Sequence, residues 1–289
     1  MDFTLAVAMT QPEHYTALAR AAEEAGFAQI AVPDSIFWSE AVSDAYPYTH
    51  DGSRMWNEAT PFPDPFISIG AMGAVTERIR FCTYVVKVGV RNPLLLAKQI
   101  ASTAVLTGDR FTFGAGIGWS REEFEWCGQP FERRGARVDE SLEAMQAVLS
   151  GEMVEYHGDH VDFGRLTMPP APRTRVPFWI GGHSAPAIRR TVRFGDGWTS
   201  AMITFDECRD IITRVKQGLE DAGRDPDDFA FQVSSIDRFD LDGYRELASI
   251  GVTDIVTIPW LLQGVPLDGP LQDKVDAVHA FGKDTIATW

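Results

Sequence analysis

The sequence predicts a (β/α)8 TIM barrel, a single domain over residues 1–289, and three observations carry that expectation. Short apolar runs alternate with helical-period segments about eight times, and no linker divides the chain into halves. The residues after the first apolar run, Met9-Thr10-Gln11-Pro12, lack the GxGxxG turn of a doubly wound dinucleotide-binding sheet. Closing the strands into a barrel lets each crossover helix cover one face and leaves no sheet edge unpaired.

The elements follow in order. Phe3 to Ala8 reads as the first strand, and Tyr15, Leu18, Ala19 and Ala22 recur at helical spacing until Gly26. Phe27 to Pro33 is the second strand and ends at Asp34. The stretch from Ser35 to Pro65 has no period and is rich in Pro, Asp, Trp and Tyr, which suits a functional lid. Helix resumes near Asp64. Ile79 to Val90 reads as one unusually long strand, and Asn92-Pro93 opens a helix through about Leu106. Arg110 to Gly116 is the next strand, and Val138, Leu142, Met145 and Leu149 mark a helix face. Val154 to Tyr156 and Val161 to Phe163 alternate around His157-Gly158-Asp159-His160 as an inserted hairpin before the fifth strand. Pro177 to Ile180 is that strand, ending in Gly181-Gly182, and Ser184 with Pro186 starts a helix. Gly197 to Ala201 is short and apolar, and Thr204 with Glu207 forms a capping box before Ile211, Val215 and Leu219. Phe229 to Ser235 and Asp254 to Trp260 are the last strands, around a helix from Tyr244 to Ile250. Leu271, Val275 and Val278 belong to the closing helix.

Composition excludes several function classes. With 41 acidic and 26 basic side chains the formal charge is −15, a field that repels nucleic-acid phosphates. Cys82, Cys127 and Cys208 stand apart, with no CxxC pair and no histidine at ligand spacing. That pattern suits reduced thiols in the cytoplasm and argues against structural zinc; no metal site is expected. No apolar run has the ~20 residues of a membrane helix, and Met1-Asp2-Phe3-Thr4 lacks a basic signal-peptide start.

The densest chemical signal lies between Arg110 and Arg137. Phe111-Thr112-Phe113 runs straight into Gly114-Ala115-Gly116-Ile117-Gly118, so alternate positions on one face carry no side chain. A planar cofactor is expected to lie directly on that backbone. The ends of the other strands carry Asp34, Thr83-Tyr84, Gly181-Gly182-His183-Ser184 and Thr199-Ser200, which are mostly small or backbone-like groups. A hydrolase barrel would show a His-x-His strand and further ligands. Glycine platforms without a catalytic cluster suit an enzyme whose cofactor carries the chemistry.

Arg91-Asn92-Pro93, Ala97-Lys98-Gln99, Gly108-Asp109-Arg110-Phe111, Gly114 to Trp119, Arg121-Glu122-Glu123-Phe124, Arg134-Gly135-Ala136-Arg137 and Gly195-Asp196-Gly197-Trp198 stand in order. Together, over nearly the whole chain, they resemble the bacterial luciferase-like flavin oxidoreductases, most closely the branch using the deazaflavin coenzyme F420. The resemblance implies a bulge at the end of the third strand, at Thr83-Tyr84, with a non-prolyl cis peptide there or at an immediate neighbour. It assigns Gly116, Ile117 and Gly118 to a backbone platform along the cofactor, and Gly181, Gly182, His183 and Ser184 to a phosphate loop. It also implies that Arg137 reaches that phosphate.

The departures from the family matter equally. Its sugar-phosphate dehydrogenases have a histidine directly after the second-strand aspartate and a glutamate after the Gly-x-Gly platform. Here Ser35 and Trp119 stand at those positions, so that substrate is not carried over. Asp34 and His50 are the available groups for catalytic proton transfer, Asp34 serving alternatively to hold the lid by accepting backbone hydrogen bonds. Trp38, Trp56 and Trp119 are expected to wall the substrate pocket, with Phe37, Tyr46 and Tyr48 as further stacking surface in the lid. The activity expected is hydride transfer between a small organic substrate and F420. The alternatives are an FMN-dependent monooxygenase using reduced flavin and oxygen, and a non-catalytic flavin-binding homologue. No nucleic-acid or membrane partner is expected, and the oligomeric state stays open, a homodimer included.

Overall fold

Eight short, nearly all-buried strands can satisfy their backbones only by pairing on both sides, and in this protein they close on themselves. The structure, a computed structural model, describes residues Met1–Trp289. Its elements are β1 (Asp2–Ala6), α1 (Tyr15–Glu24), β2 (Gln29–Val32), α2 (Pro65–Gly73), β3 (Arg80–Thr83), β4 (Val86–Lys87), α3 (Pro93–Leu106) and β5 (Phe111–Gly116). Then come α4 (Arg121–Trp126), α5 (Arg134–Val148), β6 (Val154–His157), β7 (Asp162–Leu166), β8 (Phe178–Gly181), α6 (Ala185–Phe194) and β9 (Gly197–Thr199). The chain ends with α7 (Phe205–Asp221), β10 (Ala230–Val233), α8 (Leu241–Ser249), β11 (Asp254–Thr257), α9 (Pro259–Leu262) and α10 (Leu271–Asp284).

The parallel ladder runs β1-β2-β3-β5-β8-β9-β10-β11 and returns to β1, where Phe3 pairs with Ile255. This is the expected (β/α)8 barrel. Its main apolar core lies between strands and helices, with Leu5, Ile30, Phe113, Phe231 and Leu142 among its buried members. β6 and β7 pair antiparallel outside the barrel, the inserted hairpin. No helix or strand forms between Val32 and Pro65, so the lid is an irregular strap.

The long strand expected from Ile79 to Val90 is interrupted. Phe81 stands opposite Phe111, but Val86 stands opposite Ala115, so five steps on one side match four on the other. The extra residue bulges the chain at Tyr84-Val85, whose peptide bond is cis. Thr83 covers the interrupted ladder, its hydroxyl donating to Gly114 O and accepting from Gly114 N–H, both at 2.8 Å.

The bulge also corrects the reading of the glycines. A Cβ on Gly114 would sit 1.8 Å from Thr83 O, and one on Gly116 would sit 2.7 Å from Val85 Cγ2. The bared face of β5 therefore receives the neighbouring strand, and it is the bulge, seated there, that faces the open end. Gly118, at φ +86°, turns the chain away beneath Phe124.

Inside the barrel floor, Asp254 is buried and accepts from Thr4 Oγ1 at 2.8 Å and Gln232 Nε2 at 3.1 Å through one carboxyl oxygen. Above it, Ala6, Ala31, Cys82 and Val256 make a layer of small side chains beneath Tyr84. That thin layer leaves depth for the site.

Two outcomes test these assignments. Gly114→Ala should lose at least ~3 kcal/mol in urea unfolding, because backbone oxygen cannot yield. Gly70→Ala, with nothing within 4 Å of its Cβ, should be neutral or gain up to ~1 kcal/mol. Equal effects would remove the close approach as the cause. Burial raises the Asp254 carboxyl to about 6, the bonds from Thr4 and Gln232 acting against it. A folded-state value above the unfolded one favours the folded state fully below pH ~4, and that contribution is lost as pH rises through about 6. Asp254→Asn should then stabilise the protein by up to ~3 kcal/mol at pH ~8 and by little at pH ~4. A gain equal at both pH values would contradict this.

Candidate active site

A cavity of about 920 Å³ opens at the C-terminal ends of the strands, the end of a barrel where loops from different strands converge. Its wall on one side is the bulge, Tyr84 and Val85, continued by Gly116, Ile117, Gly118 and Trp119 after β5. The Tyr84 hydroxyl donates to Ser200 O, which fixes the ring across the barrel mouth, and burial raises its phenol.

The lid continues this wall as an aromatic cluster. Tyr46 meets Trp56 at 5.1 Å and Trp119 at 5.4 Å between ring centroids, both edge-on, and Trp56 meets Phe62 at 5.7 Å. Such edge-to-face contacts set an aromatic edge against a ring face and hold the strap against β5. Burial pushes the Tyr46 hydroxyl up to about 12.

Two buried glutamates of α4 tie the same strap down. Ser43 donates its N–H at 2.8 Å and its hydroxyl at 2.6 Å to Glu122 Oε1. Burial alone would raise Glu122, but the Ser43 and Ser120 bonds bring it below the usual range. Glu123 accepts the Ile36 N–H at 3.1 Å and pairs with the Lys87 ammonium, both side chains being buried. Ser120 caps α4 by accepting from Glu123 N–H.

Asp34 does not present a free carboxylate. It lines the cavity, but Arg91 clasps it through two bonds of 2.7 and 2.8 Å, and Lys87 N–H donates to it at 2.9 Å. Burial works against the Arg91 charge, and Asp34 more than offsets it. Asp34 thus joins the end of β2 to the chain after β4.

At the third side, Gly181, Gly182, His183 and Ser184 lead from β8 into α6 and line the cavity. The N–H groups of Gly182, His183 and Ser184 donate to no acceptor within the chain. They stand at the start of a ten-residue helix, where the helix dipole favours an anion. The Ser184 hydroxyl caps α6 by accepting from Ala187 N–H at 3.4 Å. Burial lowers His183, whose ring packs edge-on to Tyr48 at 5.1 Å.

The remaining expectations divide. Trp56 and Trp119 line the cavity, whereas Trp38 lies outside it under the Arg54 guanidinium, 4.5 Å from the ring centroid. His50 is exposed and does not reach the cavity. Thr83 is buried behind the bulge. Arg137 also lies outside, its guanidinium donating to the carbonyls of Pro130 and Glu132. Arg134 lines the cavity instead, held by a bond of 3.2 Å to Gly118 O and stacked 3.7 Å over Phe131. Sequence reasoning missed Lys87, Glu122 and Glu123 as site-building residues. A lysine inside the apolar run Phe81 to Val90, and two adjacent glutamates after a serine cap, were the signals.

Comparison with known proteins agrees with this architecture. An uncharacterized protein of Mycobacterium tuberculosis is 39% identical over 290 residues, covering 99% of each chain. The F420-dependent glucose-6-phosphate dehydrogenase of Nakamurella multipartita is 29% identical over 243 residues, 82% of this chain and 66% of that protein. The structure of the coenzyme F420-dependent tetrahydromethanopterin reductase from Methanopyrus kandleri superposes with a TM-score of 0.76 over 99% of both chains at 17% identity. The family model of the luciferase-like monooxygenases matches residues 4–236, and with that match this chain belongs to the luciferase-like monooxygenase family.

Proposed function

We propose that the protein is an oxidoreductase that passes a hydride between a small organic substrate and the deazaflavin coenzyme F420. The observation that carries the reading is one cavity joining the Tyr84-Val85 bulge and the Gly116 to Trp119 segment to a cradle of free N–H groups. At about 920 Å³ it has the size of a site for a cofactor with a substrate beside it.

The residues present fit such a group. Tyr84-Val85 and Gly116 to Trp119 would hold a planar ring, while Gly182, His183, Ser184 and Arg134 would hold its phosphate. A bound deazaflavin supplies the carbon that gives or takes the hydride. The chain's own task is orientation and exclusion of water, done by the lid aromatics and the two glutamate clamps.

Proton handling agrees with this division. Asp34 is engaged by Arg91 and His50 lies away from the cavity, which argues against a proton-transfer role for either. The remaining proton is exchanged with solvent at the mouth. Similarity to an F420-dependent dehydrogenase supports the deazaflavin over flavin mononucleotide. A monooxygenase using reduced FMN and oxygen is the second reading, favoured by the family's name and by the ring and first phosphate that both cofactors share. The cytoplasm, where reduced free cysteines persist, is the compartment we propose.

Fluorescence titration with F420 and with FMN tests the reading. F420 should bind in the micromolar range or tighter, roughly −8 kcal/mol, and more tightly than FMN. Arg134→Ala should weaken that binding about tenfold, with a smaller loss at high salt, and Arg137→Ala should leave it unchanged. Failure of both cofactors to bind, or the reverse order of the two arginine effects, would overturn the assignment.

A further inference from the structure

The charged groups lining the cavity are largely answered from within the chain. Asp34 is clasped by Arg91, Lys87 by Glu123, and Arg238 by Glu246 and Asp237. Asp44 lies 3.8 Å from Arg121, and Arg134 bonds Gly118 O. A substrate bearing its own phosphate or carboxylate would find no spare cation apart from the one assigned to the cofactor.

The mouth has a different character. Met55 in the lid, Ile236 and Phe239 after β10, and Leu261 and Leu262 in α9 all line the cavity and are each between 43% and 52% exposed. Five large apolar side chains left half in water on one rim are costly unless something covers them in use. Their continuity with the cavity favours an occupant that also enters it.

We propose that the substrate is uncharged and carries an extended apolar portion. Its reacting end lies inside, against Tyr46, Trp56 and Trp119, and its apolar end lies along Phe239, Leu261 and Leu262. The proposal rests on reading this cavity as the reacting site.

Isothermal titration calorimetry with straight-chain primary alcohols from butanol to nonanol tests it, with the matching carboxylates as charged controls. The protein is titrated without F420 and again when saturated with it. Kd for the alcohols should fall about threefold to fourfold per methylene along the series. Each carboxylate should bind at least about tenfold more weakly than its alcohol, since burying its charge without a partner is costly. Phe239→Ser and Leu262→Ser should flatten the long end of the series while leaving butanol and F420 affinities unchanged. A flat series in the unaltered protein, tighter carboxylates, or rim variants without effect would overturn the proposal. So would self-association, seen by sedimentation, that Phe239→Ser abolishes, because a second copy would then be the rim's occupant. Failure of the alcohol series with F420 binding intact refutes only the substrate class; failure of F420 to bind refutes the function itself.

Discussion

A side chain at Gly114 would place its Cβ 1.8 Å from Thr83 O, and the open end of the barrel is organised around that exclusion. Because β5 is bare there, β3 can approach closely enough to carry an extra residue, and Thr83 replaces the interrupted ladder with its own hydroxyl. The bulge then sets Tyr84 and Val85 across the mouth and delivers Lys87 to Glu123. Glu123 in turn holds Ile36, the beginning of the lid. One vacancy in β5 is thereby connected, through named contacts, to the placing of the strap over the cavity.

Electrostatics then decides what the cavity can do. Buried ions are costly unless paired, and removing one partner typically costs about 3–5 kcal/mol, so Asp34–Arg91 and Lys87–Glu123 act as fixed struts. Groups committed to holding strand ends together cannot also shuttle protons at no cost. What remains available is hydrogen-bonding backbone, aromatic surface, the His183 imidazole and Arg134. That inventory suits chemistry delivered by a bound ring, with the protein supplying position and dryness.

Much of the fold was legible because hydrophobic period and cap residues act locally. The helix start at Ser184 and the capping box at Thr204 and Glu207 appear where the sequence places them. The break in the third strand is marked by neither period nor composition within Ile79 to Val90; the family resemblance placed it, one peptide from where it lies, and the vacancy that accommodates it sits some thirty residues later, at Gly114. Direction was harder still. Trp38 and Trp56 belong to one aperiodic segment, and composition cannot say which of them turns inward. For the arginines, Arg133 adopts φ 54° and starts α5 so that Arg134 reaches the cavity. Arg137 stands three positions on, about 4.5 Å further along the helix axis, and is taken by loop carbonyls.

The bulge and the α6 cradle are together proposed to form one cofactor site. A crystal structure of the protein soaked with F420 tests it most directly. The deazaflavin ring is expected against Tyr84 and Val85, with its phosphate on the N–H groups of Gly182, His183 and Ser184 and within reach of Arg134. A ring bound elsewhere, or a phosphate held by Arg137 with the cradle unused, would contradict it.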